Sequence, residues 1–233
     1  MQLDSYAIRA RQMPVLIVVL PVVVLLAVSV LSASTFGVAT GVIVGALSIL
    51  GAQLGRDRGR DLQDRLWSDW GGAPTTQSLR LSGSEQSAYV SQCRADAERI
   101  LSAALPSSEE EERDPVAADE RYAAAVQGLI ARTRDRKRFP LLFEENVNYG
   151  FRRNCLGLRR YGIGVCVVVG MAAVALLIVG SGSLGSRLTD WSWPLAAAFG
   201  LGAFWLKVVT PDWVRLPADA YARRLFEAAI TLG

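Results

Sequence analysis

The chain has no histidine, which removes the commonest zinc ligand and the usual general base near neutral pH. Its three cysteines, Cys93, Cys155 and Cys166, show no paired spacing, so neither a disulfide framework nor a cysteine metal site is expected. Lysine is nearly missing as well: Lys137 and Lys207 are the only two among 25 basic residues, a bias that fits a GC-rich bacterial genome. The net charge of +3 is too small to argue for bulk binding of nucleic acid. Charge is also absent locally. Residues 13–31 and 36–54 carry no Asp, Glu, Lys or Arg, and 163–180 and 194–209 carry only Lys207. Apolar runs near 17–25 residues match a helix crossing a hydrocarbon core ~30 Å thick; the last run is the shortest.

Those runs define the expected fold class: an all-α membrane protein with about four transmembrane helices, in two hairpins flanking a cytoplasmic α-helical domain. The expected divisions are an N-terminal transmembrane hairpin over 1–54, a cytoplasmic helical domain over 55–161, a C-terminal hairpin over 162–209 and a cytoplasmic tail over 210–233. A cleaved signal peptide is the competing reading of the first run. It is disfavoured because the run exceeds the ~7–15 residues of a signal h-region and a second apolar run follows at once. Orientation comes from arginine. Segment 53–161 holds 18 Lys/Arg, whereas the two hairpin loops hold only Arg187. The membrane-proximal groups Arg56/Arg58/Arg60 and Arg152/Arg153/Arg159/Arg160 place both termini and the central domain in the cytoplasm of a bacterial inner (plasma) membrane. Trp191 and Trp193 fit the opposite interface.

Within the polar segment, Leu62, Leu66 and Trp70 continue the second helix past the membrane until Gly71-Gly72-Ala73-Pro74 stops it. Residues 75–84 read as ambiguous, with an extended stretch as one option. Tyr89, Cys93, Ala97, Ile100, Leu101 and Ala104 form one apolar helical stripe up to Pro106. Ser107 followed by Glu109 to Glu112 reads either as a capped helix start or as a solvated acidic loop. Ala118, Tyr122, Val126 and Leu129/Ile130 form the next stripe, and Phe143, Val147, Phe151 and Cys155 a final helix that leads into the third span.

Three groups of residues stand out. Gly37, Gly41 and Gly45 recur every fourth residue, with Gly51 and Gly55 repeating the spacing. Such a face lets backbones approach closely, either inside one chain or between subunits of a homo-oligomer. The basic group Arg132, Arg134, Arg136, Lys137 and Arg138, together with Arg152 and Arg153, is a candidate ligand site, since arginine suits bidentate phosphate recognition. Its alternative is topology plus attraction to anionic headgroups, ~1 kcal/mol per residue near the surface. That alternative covers Arg152 and Arg153 better than it covers Arg132 to Arg138. The carboxylates offer no third site. Asp57, Asp61, Asp64 and Asp69 read as a solvated helix face, and Glu144-Glu145-Asn146 has no nucleophile or ligand set around it. No catalytic residue, metal or cofactor is expected, and the protein reads as a non-enzyme. The absence of Asp, Glu and Arg within the spans argues against proton coupling and leaves a structural anchor or a weakly polar pore.

Two stretches, GRDRGRDLQDRLWSDWGGAPTTQSLR (55–80) and TRDRKRFPLLFEENVNYGFRRNCLGLRRYG (133–162), resemble a family of bacterial multi-pass membrane proteins with terminal hairpins around a cytoplasmic helical insert. The layout is similar to membrane effectors of two-gene antiphage systems, including the Hailong type. In those systems a nucleotidyltransferase makes an oligonucleotide signal and a membrane partner acts as a channel. The resemblance implies a homo-oligomeric effector or ion channel, gated by a nucleotide or oligonucleotide made by that partner. It transfers no functional residue to this chain. The alternative is a non-conducting membrane anchor or scaffold that recruits a soluble partner protein.

Overall fold

The structure, a computed structural model, describes residues 7–31, 37–81, 88–180 and 182–232. The structure is all-helical, with 85% helix, and no strand occurs among the described residues. A π-helical turn, Ala7–Gln12, leads into α1 (Met13–Leu31); α2 (Gly37–Asp69), α3 (Pro74–Gln77), α4 (Ala88–Leu101), α5 (Ser108–Arg113), α6 (Pro115–Arg132), α7 (Pro140–Val179), α8 (Leu184–Lys207) and α9 (Pro211–Ile230) follow.

Among the described residues, two helices are long and apolar enough to cross a membrane, Ile8–Ser29 and Pro140–Val179. A third arises if α8 and α9, bent by 64° at a short break, act as one span. This composition fits a membrane protein. Residues 37–54 of the second expected run, 36–54, lie on α2, and the side chains of residues 37–50 fall outside the described residues. The fourth run, expected from residue 194, starts earlier, because α8 begins at Leu184 and carries Pro194 inside it. Ser183 caps that start by accepting a hydrogen bond from the Ser186 amide at 3.2 Å.

The chain divides into two compact units. The first comprises Met1–Gln63 and Gly150–Val214, the second Asp64–Tyr149 and Arg215–Gly233. These units are defined by internal packing, whereas the divisions expected near residues 54, 161 and 209 are membrane boundaries. Both α2 and α7 run on without a break through the expected boundaries.

In the first unit, glycines set the helix spacing. An added Cβ on Gly157 of α7 would lie 2.7 Å from the amide nitrogen of Gly59 on α2 and 3.1 Å from the carbonyl carbon of Arg58. Only hydrogen fits there, so the two backbones touch. Next to this crossing, buried Asn154 donates from Nδ2 to the Ala10 carbonyl at 2.7 Å, tying α7 to the π turn. Gly51 and Gly55 are likewise filled from within the chain, by Val15 of α1 and Leu158 of α7. Gly37, Gly41 and Gly45 are helical, and their packing lies outside the described residues. An edge-on aromatic group, Phe151, Phe204, Trp205 and Trp213, completes this unit.

The second unit has its own core, in which Tyr122 and Leu129 of α6, Cys93 and Ala97 of α4, and Leu225 and Phe226 of α9 are buried together. Residues 215–233, expected as a tail, therefore supply core side chains. The stop after α2 follows the expected chemistry: Gly71 and Gly72 take φ of 80° and 131°, a region that glycine enters without strain. In the next segment, read as ambiguous over 75–84, residues 75–77 lie in the short helix α3, fastened by Gln77 donating to the carbonyls of Trp70 (2.6 Å) and Gly72 (3.0 Å), and residues 82–84 lie outside the described residues. Of the two readings for residues 107–112, the capped helix is observed. Ser107 Oγ accepts from the Glu110 amide at 3.2 Å while Glu110 accepts from the Ser107 amide at 2.9 Å, a reciprocal capping box.

Candidate functional site

Stripes on α4 and α6 bring apolar faces together, and that packing carries charged residues to the border between them. Arg99, in the last turn of α4, and Arg132, the last residue of α6, flank a cleft of about 380 Å³ whose other walls are Ile100 and Leu232. The volume lies near the small end of the ~300–1,000 Å³ range of small-molecule sites and suits one nucleotide unit better than a long chain. Both arginines are exposed. Arg99 donates to Asp96 Oδ1 at 3.0 Å and Arg132 to the Gly128 carbonyl at 3.2 Å. These bonds fix two guanidinium groups beside the cleft. Asp96 also accepts from Gln92 at 2.8 Å, and the Gln92 hydrogen bond first, then Arg99, hold its carboxyl below the usual range.

The expected ligand residues separate into four groups. Arg132 lines the cleft. Arg136 lies over the Phe143 ring (4.6 Å), and Arg138 lies over Phe139 (5.3 Å) and donates to the Thr231 carbonyl at 3.0 Å. The latter two thus brace the start of α7 and the chain end, with cation–π attraction contributing. Arg134 and Lys137 are exposed in the turn between α6 and α7, where the Lys137 amide donates to Asp135 at 2.8 Å. Arg152 and Arg153 belong to the other unit. There Arg152 lies 4.9 Å from the Trp213 ring centre and donates to the Trp213 carbonyl at 2.9 Å. Arg153 donates to Gln63 Oε1.

Arg99 was missed by sequence reasoning, since it is a single arginine on the polar side of a helix. Leu232 was missed because the chain end was read as a tail. Also unforeseen is a buried polar cluster behind the α4/α6 interface. The Tyr122 hydroxyl donates to Glu111 Oε2 at 2.6 Å and accepts from Arg94 at 2.9 Å, and the Leu81 amide donates to the same Glu111 oxygen at 3.0 Å. Glu111 and Tyr122 are both buried. Burial, followed by the bond to Glu111, pushes the Tyr122 phenol up to about 12, so it stays a donor. Arg94 also bonds the carbonyls of Leu79 and Pro106. The cluster ties the approach to α4, the α5 helix and α6 into one arrangement.

Among the described residues, no group of three or more His, Cys, Asp or Glu is placed to hold a metal ion. The chemistry available at the cleft is anion recognition by two arginines. No protein-family model, curated protein or solved structure matches this chain.

Proposed function

We propose that this chain is a membrane effector or ion channel, homo-oligomeric and gated by a phosphate-bearing ligand bound in its second unit. The observation that carries the reading is the Arg99/Arg132 cleft. Two guanidinium groups converge on a space of nucleotide size, and arginine pairs with phosphate oxygens in a fork geometry. The reading places four apolar runs across an inner membrane, with the second unit and both termini in the cytoplasm. The arginine count on either side of the runs supports this orientation. Coupling from cleft to membrane rests on helical continuity: α2 and α7 each supply residues to both units without a break. A role in antiphage defence, beside a nucleotidyltransferase, is the biological setting that the layout suggests.

Binding is tested with the 5′-phosphorylated dinucleotide pApA on the purified full chain. Arg99→Gln and Arg132→Gln are each expected to weaken it tenfold or more, with a salt dependence that shrinks in the variants. Equal affinity in wild type and both variants would contradict the assignment. The scaffold reading predicts a different outcome, in which ligand binds and the membrane stays tight.

A further inference from the structure

We infer that the groove between α7 and α8 is a binding site for one anionic phospholipid, with an acyl chain in the groove and the phosphate at Lys207. The groove has a volume of about 850 Å³ and is lined by Ile163, Val167, Gly170 and neighbours on α7 and by Phe199, Gly202 and Leu206 on α8. Its floor is made by small residues. A Cβ added to Gly170 would stand 3.8 Å from Ala198 Cβ, and one added to Gly202 would stand 3.7 Å from Cys166 Cβ. The helices thus approach closely along one line while larger side chains rise on both sides. Phe199 is 83% exposed on the α8 wall. Carbon dominates the lining, so the occupant is apolar along its length.

One end differs. Lys207 is the single charged residue of the lining, exposed and without a hydrogen bond or ion pair among the described residues. Arg159 stands beside it, donating to the carbonyls of Trp205 (3.0 Å) and Leu206 (3.2 Å). Arg160 follows, exposed, two turns before Val167 on the same stripe of α7. The cation near the other end, Arg187, instead donates to the carbonyls of Leu177 (3.0 Å) and Ile178 (2.8 Å) and so closes the C-terminus of α7. A long apolar trough ending on an uncommitted ammonium, with the Arg159 guanidinium beside it and Arg160 exposed on the same stripe of α7, is complementary to an amphiphile with an anionic head. A basic pocket between membrane helices on the cytoplasmic side is where such headgroups bind.

The inference rests on α7 and α8 lying in a bilayer, so the experiment begins by washing membranes with alkaline carbonate. Release of the chain would refute that placement itself. The retained protein is then purified in mild detergent with equal amounts of phosphatidylglycerol and phosphatidylcholine, and bound lipid is counted by native mass spectrometry. Wild type is expected to keep about one phosphatidylglycerol per chain, at least fivefold over phosphatidylcholine. Lys207→Gln combined with Arg160→Gln is expected to bring that preference close to one. Gly202→Leu, and separately Gly170→Leu, should expel the lipid while leaving the oligomer unchanged. Equal retention of the two lipids by wild type, an unchanged preference in the charge variant, or undiminished lipid in both leucine variants would overturn the proposal. A change of oligomer size in the leucine variants would assign the groove to a second copy of the chain and overturn it as well.

Discussion

Removing one oxygen atom from the second unit should loosen it measurably. Tyr122→Phe keeps the ring in its fully buried place but deletes the hydroxyl that joins Glu111 (2.6 Å) to Arg94 (2.9 Å). Both partners are charged types, and a hydrogen bond to a charged group is worth ~1.5–3 kcal/mol when its loss leaves a buried partner short. A loss of about 2–3 kcal/mol corresponds to a roughly 30- to 150-fold rise in the open population. Cys93 reports it, because its thiol is buried in the same core; burial pushes its pKa up, which keeps it unreactive in the closed state. Alkylation of the native full chain, followed on the Cys93 peptide by mass spectrometry at fixed pH, should accelerate by that factor in the variant. Acceleration below about threefold would show that the Tyr122 cluster does not hold this unit together.

Three further outcomes follow from the same geometry. Gly157→Val should destabilise the first unit by ~1–3 kcal/mol in thermal unfolding, since its side chain meets the Gly59 backbone and not a movable side chain; unchanged stability would deny the close α2–α7 crossing. Ser107→Ala removes the reciprocal cap of α5 and should cost about 1 kcal/mol in denaturant titration, whereas Ser108→Ala, one position on, should cost less. Acid should also weaken the second unit. Glu110 is held below its usual range first by the Ser107 amide and then by Arg121, and Asp96 by Gln92 and then Arg99. Both therefore stabilise the fold fully above the unfolded carboxylate range near ~4 and lose that contribution as pH falls through their lower folded values. Cys93 alkylation, corrected for thiolate fraction, should accelerate on acidification, and less so in Glu110→Gln; a pH-independent corrected rate would contradict it.

Much of the local structure was legible because its causes are local. The Gly71-Gly72 stop needs only two permissive residues, and the α5 start needs only a serine three residues before a glutamate. The stripes of α4 and α6 declare themselves by period. What escaped depends on residues distant in sequence. Glu111 reads as one more carboxylate in an acidic first turn, and only the packing of α5 against α6 buries it under Tyr122. The close backbone crossing lies at Gly59 and Gly157, isolated glycines with no repeat to announce them, whereas the regular series Gly37/Gly41/Gly45 drew the attention. The helix α9 does carry a visible signal: Ala218, Ala222, Leu225, Phe226 and Ala229 recur at helical spacing and are all buried, despite Pro217 within the helix. Arg99 joins Arg132 only because α4 and α6 lie side by side, which no motif encodes.

Ion release from sealed proteoliposomes containing the full chain checks the claim that occupancy of the Arg99/Arg132 cleft opens a path through the membrane. With pApA added at a concentration that saturates binding, wild type is predicted to release trapped potassium and Arg132→Gln to stay closed at equal protein density. Vesicles that remain tight while the ligand is demonstrably bound would contradict the claim and leave a membrane-anchored scaffold in its place.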